Sequence, residues 1–218
     1  MEDTDISKVV SVLKKEIKRF KVPAVTVVSE RTRDPFRVLI SCLLSLRTKD
    51  EVTAAASARL FDLASTPKET AALTTGVIEK AIYPAGFYRT KARIIKDISR
   101  ELAEEHGSKV PDTIEGLLKL KGVGRKTANL VVTLGFGKPG ICVDTHVHRI
   151  TNRWGYVKTK NPEETETALR EKLPKRHWIP INDLLVTYGQ NLCKPVSPHC
   201  SECRLFEFCE RKGVIKSR

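Results

Sequence analysis

The sequence predicts an all-α protein. Apolar residues recur at three- and four-residue intervals along most of the chain, Pro- and Gly-bearing breaks separate these stretches, and no run alternates as a half-buried strand would. Neither an internal repeat nor a low-complexity linker interrupts the pattern.

The elements follow in order. Residues 5–20 form a first helix with Ile6, Val9, Val10, Leu13, Ile17 and Phe20 on one face, and VPAVTVV (residues 22–28) breaks it. Asp34-Pro35 is a start signal, an N-cap followed by the residue that lacks an amide proton, for the helix FRVLISCLLSL. The near-continuous hydrophobicity of that helix predicts a central, fully surrounded position. Asp50 opens EVTAAASARLFDLA, Thr66-Pro67 opens a short third helix, and Thr75 caps GVIEKAIY, which ends at residues 84–86. A long helix covers residues 89–106 and is closed by Gly107. Pro111-Asp112 begins the segment carrying EGLLKL, and after a loop at residues 137–140 Asp144 opens THVHRITNRW. Asn161-Pro162 starts EETETALREKL, and a last helix over residues 178–191 leads into a cysteine-rich tail.

A chain of 218 residues can bury a real core, as one domain or two small ones. Lys and Arg number 39 against 26 Asp and Glu, a net charge of +13 that favours a polyanionic partner, nucleic acid first. MEDTDISKVV lacks the basic and apolar regions of a signal peptide. The longest apolar run, residues 36–46, is interrupted by Arg37 and is too short to span a bilayer. A soluble intracellular protein with no membrane partner is expected. Cys42 and Cys142, in ISCLL and GICVD, read as buried free thiols. The other four cysteines crowd into seventeen residues, which is no disulfide framework in a reducing compartment.

Between EGLLKL and KTANLVVTLGF stands GVG. Two glycines around one apolar residue end a helix, so the chain reads as helix, tight hairpin, helix. Gly122 and Gly124 can present bare backbone amides, and the following helix start adds more amides and the positive end of its dipole. That is an anion site, and in a chain of this charge the anion is a nucleic-acid phosphate, gripped without regard to sequence. Lys126 falls in the first turn of the second helix. It has two possible uses, binding phosphate or, if the helix end, Arg125 and partial burial lower its pKa, acting as a nucleophilic amine. Asp144 likewise reads as an N-cap or as a catalytic carboxylate whose position the cap fixes.

The four clustered cysteines run Cys193-x6-Cys200-x2-Cys203-x5-Cys209. Four thiolates in one short loop converge on one centre, a [4Fe–4S] cluster or zinc. Zinc usually takes two close pairs, and this loop offers one.

LKGVGRKTANLVV, followed by GFGKPGICVDTHVHR with Asp144 eighteen residues after Lys126, resembles the signature of the endonuclease III family of DNA glycosylases. That family lies in the helix-hairpin-helix superfamily with a Gly/Pro-rich loop and an aspartate. LLSLRTKD, YPAGFYRTKA and the terminal cysteine spacing extend the resemblance over nearly the whole chain. It implies two helical lobes with a DNA-binding cleft between them: a six-helix barrel over residues 27–138 carrying the helix-hairpin-helix at about 112–136, and a second lobe of residues 1–26 and 139–218 with the cluster loop at 193–209. Lys126 would occupy one wall and Asp144 the other. The implied activity is that of a bifunctional DNA glycosylase and apurinic/apyrimidinic lyase for oxidised pyrimidines. Lys126 attacks C1′, the base leaves, a Schiff base forms, and β-elimination cuts the strand 3′ to the lesion, with Asp144 deprotonating the amine and stabilising the cationic sugar.

The resemblance also implies that Lys121, Gly122, Val123, Gly124 and Arg125 grip DNA, that Cys193, Cys200, Cys203 and Cys209 hold a [4Fe–4S] cluster, and that Arg47 and Phe87 enter the duplex when a base is extruded. Three of these depart from the family pattern: Arg47 stands where bacterial relatives have Gln, Phe87 where Leu is common, and Lys121 where Pro is usual. His146 and His148 are expected to be structural, Arg149 an ion-pair partner, and Trp154, Tyr156 and Trp178 packing residues. The expected partner is double-stranded DNA with damaged bases or abasic sites, and the expected setting is a monomer in the cytoplasm, nucleoid-associated, of a prokaryotic cell. The rival readings are a G/T or G/U mismatch glycosylase of the same fold, which Lys126 disfavours in its monofunctional form, and a non-catalytic iron–sulfur DNA-binding or redox sensor, which leaves Lys126 and Asp144 idle.

Overall fold

In a computed structural model, which describes residues 1–21, 23–32 and 34–218, the chain is helical, and no strand occurs among the described residues. It divides into two compact units, one of Ala24–Lys138 and one built from both ends, Met1–Pro23 with Pro139–Arg218. No helix among the described residues is long and apolar enough to cross a membrane.

The central unit is organised around one helix. Asp34 accepts from the amides of Phe36 (2.8 Å) and Arg37 (3.3 Å), Pro35 occupies the first turn, and α3 runs over Pro35–Ser45. Phe36 and every residue from 38 to 44 are buried, as expected for a surrounded helix. Each of Leu39, Ile40 and Leu44 thereby contributes roughly 2–3 kcal/mol of apolar burial. Around α3 pack α2 (Ala24–Thr32), α4 (Asp50–Leu63), α7 (Tyr88–Glu105) and α9 (Arg125–Leu130).

The helix α2 corrects the sequence reading, in which residues 22–28 serve only to break the first helix. Val22 lies outside the described residues, but Ala24 onward is helical, because packing on α3 outweighs the weak helix preference of the four β-branched residues 25–28. Thr66 and Glu69 form a reciprocal capping box at the start of α5 (Pro67–Ala72). The cap of α6 (Thr75–Ile82) is Thr74, which accepts from the Val77 amide at 3.3 Å, rather than Thr75. Asp50 is the first residue of α4 rather than its cap, a position where its charge still favours the helix dipole. Gly107, at φ +56°, ends α7 as expected.

In the second unit α1 (Ile6–Glu16) continues in a 3₁₀ turn to Arg19 and lays Ile6, Val9, Val10 and Leu13 into a core with α10 (Thr145–Arg153), α11 (Pro162–Lys172) and α12 (Trp178–Asn191). Trp154 and Tyr156 are inside this core, with Trp178 at its margin donating Nε1–H to the Leu173 carbonyl at 2.7 Å. Glu16, buried at the end of α1, receives Arg19 at 2.9 Å and Arg204 of the cysteine loop at 3.1 Å. Two guanidinium groups thus neutralise a carboxylate that would be costly to bury alone.

Candidate active site, DNA-contacting loops and cysteine centre

The hairpin forms as the sequence predicts. Thr113 caps α8 (Ile114–Lys119) through the Gly116 amide, and the Val123 amide returns to the Leu120 carbonyl at 3.1 Å to close the turn. Val123 is buried and anchors the tip, while Lys121, Gly122, Gly124, Arg125 and Lys126 are exposed around it. The two glycines stand in different surroundings. Gly122 adopts φ +86°, and a Cβ there would lie 3.0 Å from Ile94. Gly124 has an extended backbone that any residue accepts, at the N-cap of α9, with nothing within 4 Å of a would-be Cβ. Its bareness leaves room for an incoming group rather than relieving strain.

Arg125 and Lys126 are the first two residues of α9, and residues 127–130 are buried behind them. Partial burial of Lys126 was expected; the side chain is exposed instead, since the helix turns only its next residues into the core. The helix widens into a π turn over Val131–Gly135, where the Phe136 amide reaches back to the Val131 carbonyl at 3.3 Å. Such widened turns are uncommon and recur at functional sites. Here the Thr133 hydroxyl and the Asn129 carboxamide, both buried, bond backbone carbonyls of the preceding turn and fix the helix that carries Lys126.

Asp144 belongs to the other unit. It is 8% exposed and caps α10, its Oδ1 accepting from the amides of His146 (2.8 Å) and Val147 (3.0 Å). The side chains after it are structural, as expected for the histidines. His148 Nδ1 pairs with Thr165 Oγ1 at 2.7 Å, and His146 Nδ1 receives Arg149 at 3.1 Å. Arg149, expected in an ion pair, donates to the backbone carbonyls of Cys193 (2.7 Å) and Gly189 (3.4 Å), which ties α10 to the end of α12. Burial lowers its guanidinium pKa.

Arg47 and Phe87 stand on neighbouring loops of the central unit. Both adopt the left-handed region, at φ 51° and 57°, and the Arg47 guanidinium lies 5.6 Å from the Phe87 ring centroid. Phe87 is 62% exposed, an unusual position for a phenylalanine. Beneath them is a residue that the sequence reading did not single out. Lys91, 6% exposed, directs its ammonium at the carbonyls of Leu44 (2.7 Å) and Leu46 (2.6 Å) and at Thr48 Oγ1 (2.8 Å). Burial pushes its pKa down to about 8. The signal was present, because Lys91 continues the apolar stripe of Ile95, Ile98 and Leu102 along α7.

The cysteine loop supplies its sulfurs with donors. Tyr188 Oη is 3.0 Å from Cys203 Sγ, Arg153 Nη1 donates to Cys193 Sγ at 3.4 Å, and the Arg211 amide donates to Cys209 Sγ at 3.4 Å. Arg153 also holds the carbonyls of Lys194 and Pro195, each at 2.7 Å, shaping the turn after Cys193. Burial pushes the Cys203 thiol pKa up and that of Cys209 to about 11, so thiolates here need a cationic centre to stay ionised. Four cysteines in one loop, three of them in contact with these groups, form a candidate centre for a metal ion or a metal cluster. Lys194, Arg204, Arg211 and Lys212 surround the loop, all exposed.

Residues 40–175 match the HhH-GPD superfamily of base excision DNA repair proteins. The chain is 51% identical over 195 residues to endonuclease III of Thermotoga maritima, an alignment spanning 87% of this chain and 92% of that one. To endonuclease III of Bacillus subtilis it is 36% identical over 190 residues, 84% of this chain and 87% of the relative. Among solved structures, it is similar to a trapped endonuclease III–DNA covalent intermediate with a TM-score of 0.83 at 32% identity, covering 97% and 98% of the two chains. A non-covalent endonuclease III–DNA complex matches with a TM-score of 0.84 at 33% identity, covering 97% of each. A thermostable thymine-DNA glycosylase shares the fold, with a TM-score of 0.73 at 23% identity over 91% of this chain and 95% of that one.

Proposed function

The chain belongs to the endonuclease III family of HhH-GPD base excision DNA repair proteins, and from this we infer that it is a bifunctional DNA glycosylase and apurinic/apyrimidinic lyase that removes oxidised pyrimidines from duplex DNA. The observation that carries the reading is the 51% identity to an endonuclease III over nearly the full length of both chains.

The chemistry falls to this chain's own residues as follows. The hairpin, with Lys121, Gly122, Val123, Gly124 and Arg125, binds the phosphates flanking the lesion through backbone amides and two cations. Lys126, presented in the first turn of α9, attacks C1′ of the damaged nucleotide; the C–N glycosidic bond breaks and the base departs with its electron pair. Asp144 takes the proton from the amine and, as a carboxylate, offsets the positive charge that develops on the sugar. Ring opening gives an imine on Lys126, which acidifies the C2′ proton. Loss of that proton and of the 3′ phosphate cuts the strand, and hydrolysis of the imine frees the lysine. The cap at Asp144 holds the carboxylate in one orientation for these steps. Arg47 and Phe87 fill the space left by the extruded nucleotide, the phenyl ring by stacking.

Cys193, Cys200, Cys203 and Cys209 would hold a [4Fe–4S] cluster, a reading supported by their sequence spacing in one short loop and by the contacts of Tyr188, Arg153 and the Arg211 amide with three of the sulfurs. When bound, the cluster braces the loop that carries Arg204, Arg211 and Lys212.

The test is borohydride trapping on a duplex with a single abasic site. A covalent protein–DNA adduct is expected with the native chain and none with Lys126→Gln. Native protein that releases the base from a thymine-glycol duplex without an adduct would overturn the lyase half. Binding without base release or cleavage would leave only the DNA-binding sensor.

A further inference from the structure

Lys91 makes an unusual set of contacts. A buried ammonium is unfavourable unless all its protons are bonded, and this one reaches three neutral oxygens, Leu44 O, Leu46 O and Thr48 Oγ1, at 2.6–2.8 Å. A methionine would fill all but the last atom of that space without the cost of desolvating a charge. What the lysine adds is geometry. Leu44 and Leu46 lie at the end of α3, where carbonyls lack helical partners and the helix dipole is negative, so the cation closes the end of the central helix.

The contact continues outward. Thr48 Oγ1, besides meeting Lys91, accepts from the Gly86 amide at 3.0 Å. A Cβ on Gly86 would collide with the Arg47 carbonyl oxygen, so the two loops touch backbone to backbone. Arg59 secures the other flank, its Nε donating to the Ala81 carbonyl at 2.7 Å and its Nη2 to the Tyr83 carbonyl. On this platform Arg47, at the contact, and Phe87, next in sequence to Gly86, both hold a backbone conformation that non-glycine residues avoid. Such conformations persist only where the surroundings over-determine them, and they concentrate at ligand clamps.

We propose that Lys91 is a positioning residue whose ammonium clamps the loop after α3 to the loop before α7, fixing Arg47 and Phe87 as one rigid two-pronged wedge for the DNA duplex. The proposal rests on the repair activity inferred above and adds the device that sets the wedge. With the clamp in place, the ordering of both loops is complete before DNA arrives, so base extrusion does not have to order them.

The experiment compares Lys91→Met, unbranched and one atom shorter but without donors, in the native chain and in an Arg47→Ala/Phe87→Ala background. Single-turnover release of thymine glycol and unstacking of a 2-aminopurine beside the lesion are both read. Lys91→Met should slow base release roughly tenfold or more and reduce 2-aminopurine unstacking in the native chain, yet change either by less than about twofold once the wedge is gone. Equal losses in the two backgrounds would show a general packing role and overturn the clamp, as would native-like unstacking in Lys91→Met. Should that variant fail to fold, Thr48→Val removes the hydroxyl shared by Lys91 and Gly86 and should give the same non-additive pattern at smaller size; additivity there overturns the proposal equally. Borohydride trapping by the native chain on an abasic site reports separately on the repair activity, so adduct formation without a Lys91 effect sinks the clamp alone.

Discussion

Asp144 carries two duties, capping α10 and serving the chemistry, and two substitutions separate them. Asp144→Asn keeps an oxygen where Oδ1 accepts from His146 and Val147 and removes only the charge; Asp144→Ala removes both. The magnitudes follow from the cap. Loss of an acidic N-cap side chain costs about 1–2 kcal/mol, and the upper half applies because the carboxylate is 8% exposed and serves two amides. The charge at the helix start accounts for about 0.5 kcal/mol of this. Asp144→Asn should therefore unfold within about 0.5 kcal/mol of the native chain, and Asp144→Ala about 1.5–2 kcal/mol below it, a Tm difference of roughly 3–8 °C. In single-turnover base release the order changes: both variants should lose at least about a hundredfold, since both lack the general base. Urea unfolding and single-turnover kinetics on the same preparations give the comparison. If Asp144→Asn releases base at the native rate, the carboxylate charge takes no part in the reaction. If it is as unstable as Asp144→Ala, the cap does not work as described.

Other perturbations separate further causes. Gly122→Ala forces a methyl into the left-handed region against Ile94 and should lower stability by about 1–2 kcal/mol, whereas Gly124→Ala meets open space and should leave Tm within about 2 °C while weakening binding to abasic DNA; thermal melts and a binding titration at fixed salt check both. The Lys91 pKa is depressed in the folded chain, to about 8 from 10.5, so its unfolded form binds more protons between those values and the Lys91 contribution to stability rises as pH increases through that window. The gain is up to about 3 kcal/mol, read as the difference in urea stability between the native chain and Lys91→Met at pH 7.5 and pH 10; a flat difference refutes it. Cys203→Ala removes one sulfur and leaves Tyr188 Oη without that contact, and should abolish the brown visible absorbance expected of the proposed cluster and lower Tm; undiminished colour would mean that Cys203 is not a ligand.

Local signals were legible wherever one residue type serves one geometry. Asp34-Pro35, Thr66-Pro67, Gly107 and Asp144 each mark a helix end by local chemistry that acts within four residues, so the sequence alone locates them. The hairpin was legible for the same reason, since Gly122 needs its positive φ in any context. What depends on packing was hidden. The β-branched stretch at residues 25–28 reads as a helix breaker until α3 is there to cover it. Lys126 reads as partly buried, yet the helix directs only residues 127–130 inward. Lys91 reads as one more basic residue in YRTKA, and only its alignment with Ile95 and Ile98 hints that it points inward. Its partners lie 43 to 47 positions away, beyond the reach of any local pattern.

The interrupted make-up of the unit containing both chain ends has a bearing on how the protein is born. Emerging from the ribosome, α1 carries Ile6, Val9, Val10 and Leu13 with nothing yet to cover them, because α10, α11 and α12 are encoded only after the whole of Ala24–Lys138. At about 5–20 residues per second, those intervening residues take roughly 6–25 s to translate. During that interval the nascent amphipathic segment is exposed to trigger-type chaperones, to neighbouring nascent chains and to proteases, while the middle of the polypeptide can already mature around α3. Fusion partners or slow codons that prolong the wait should therefore lower soluble yield without touching the finished enzyme.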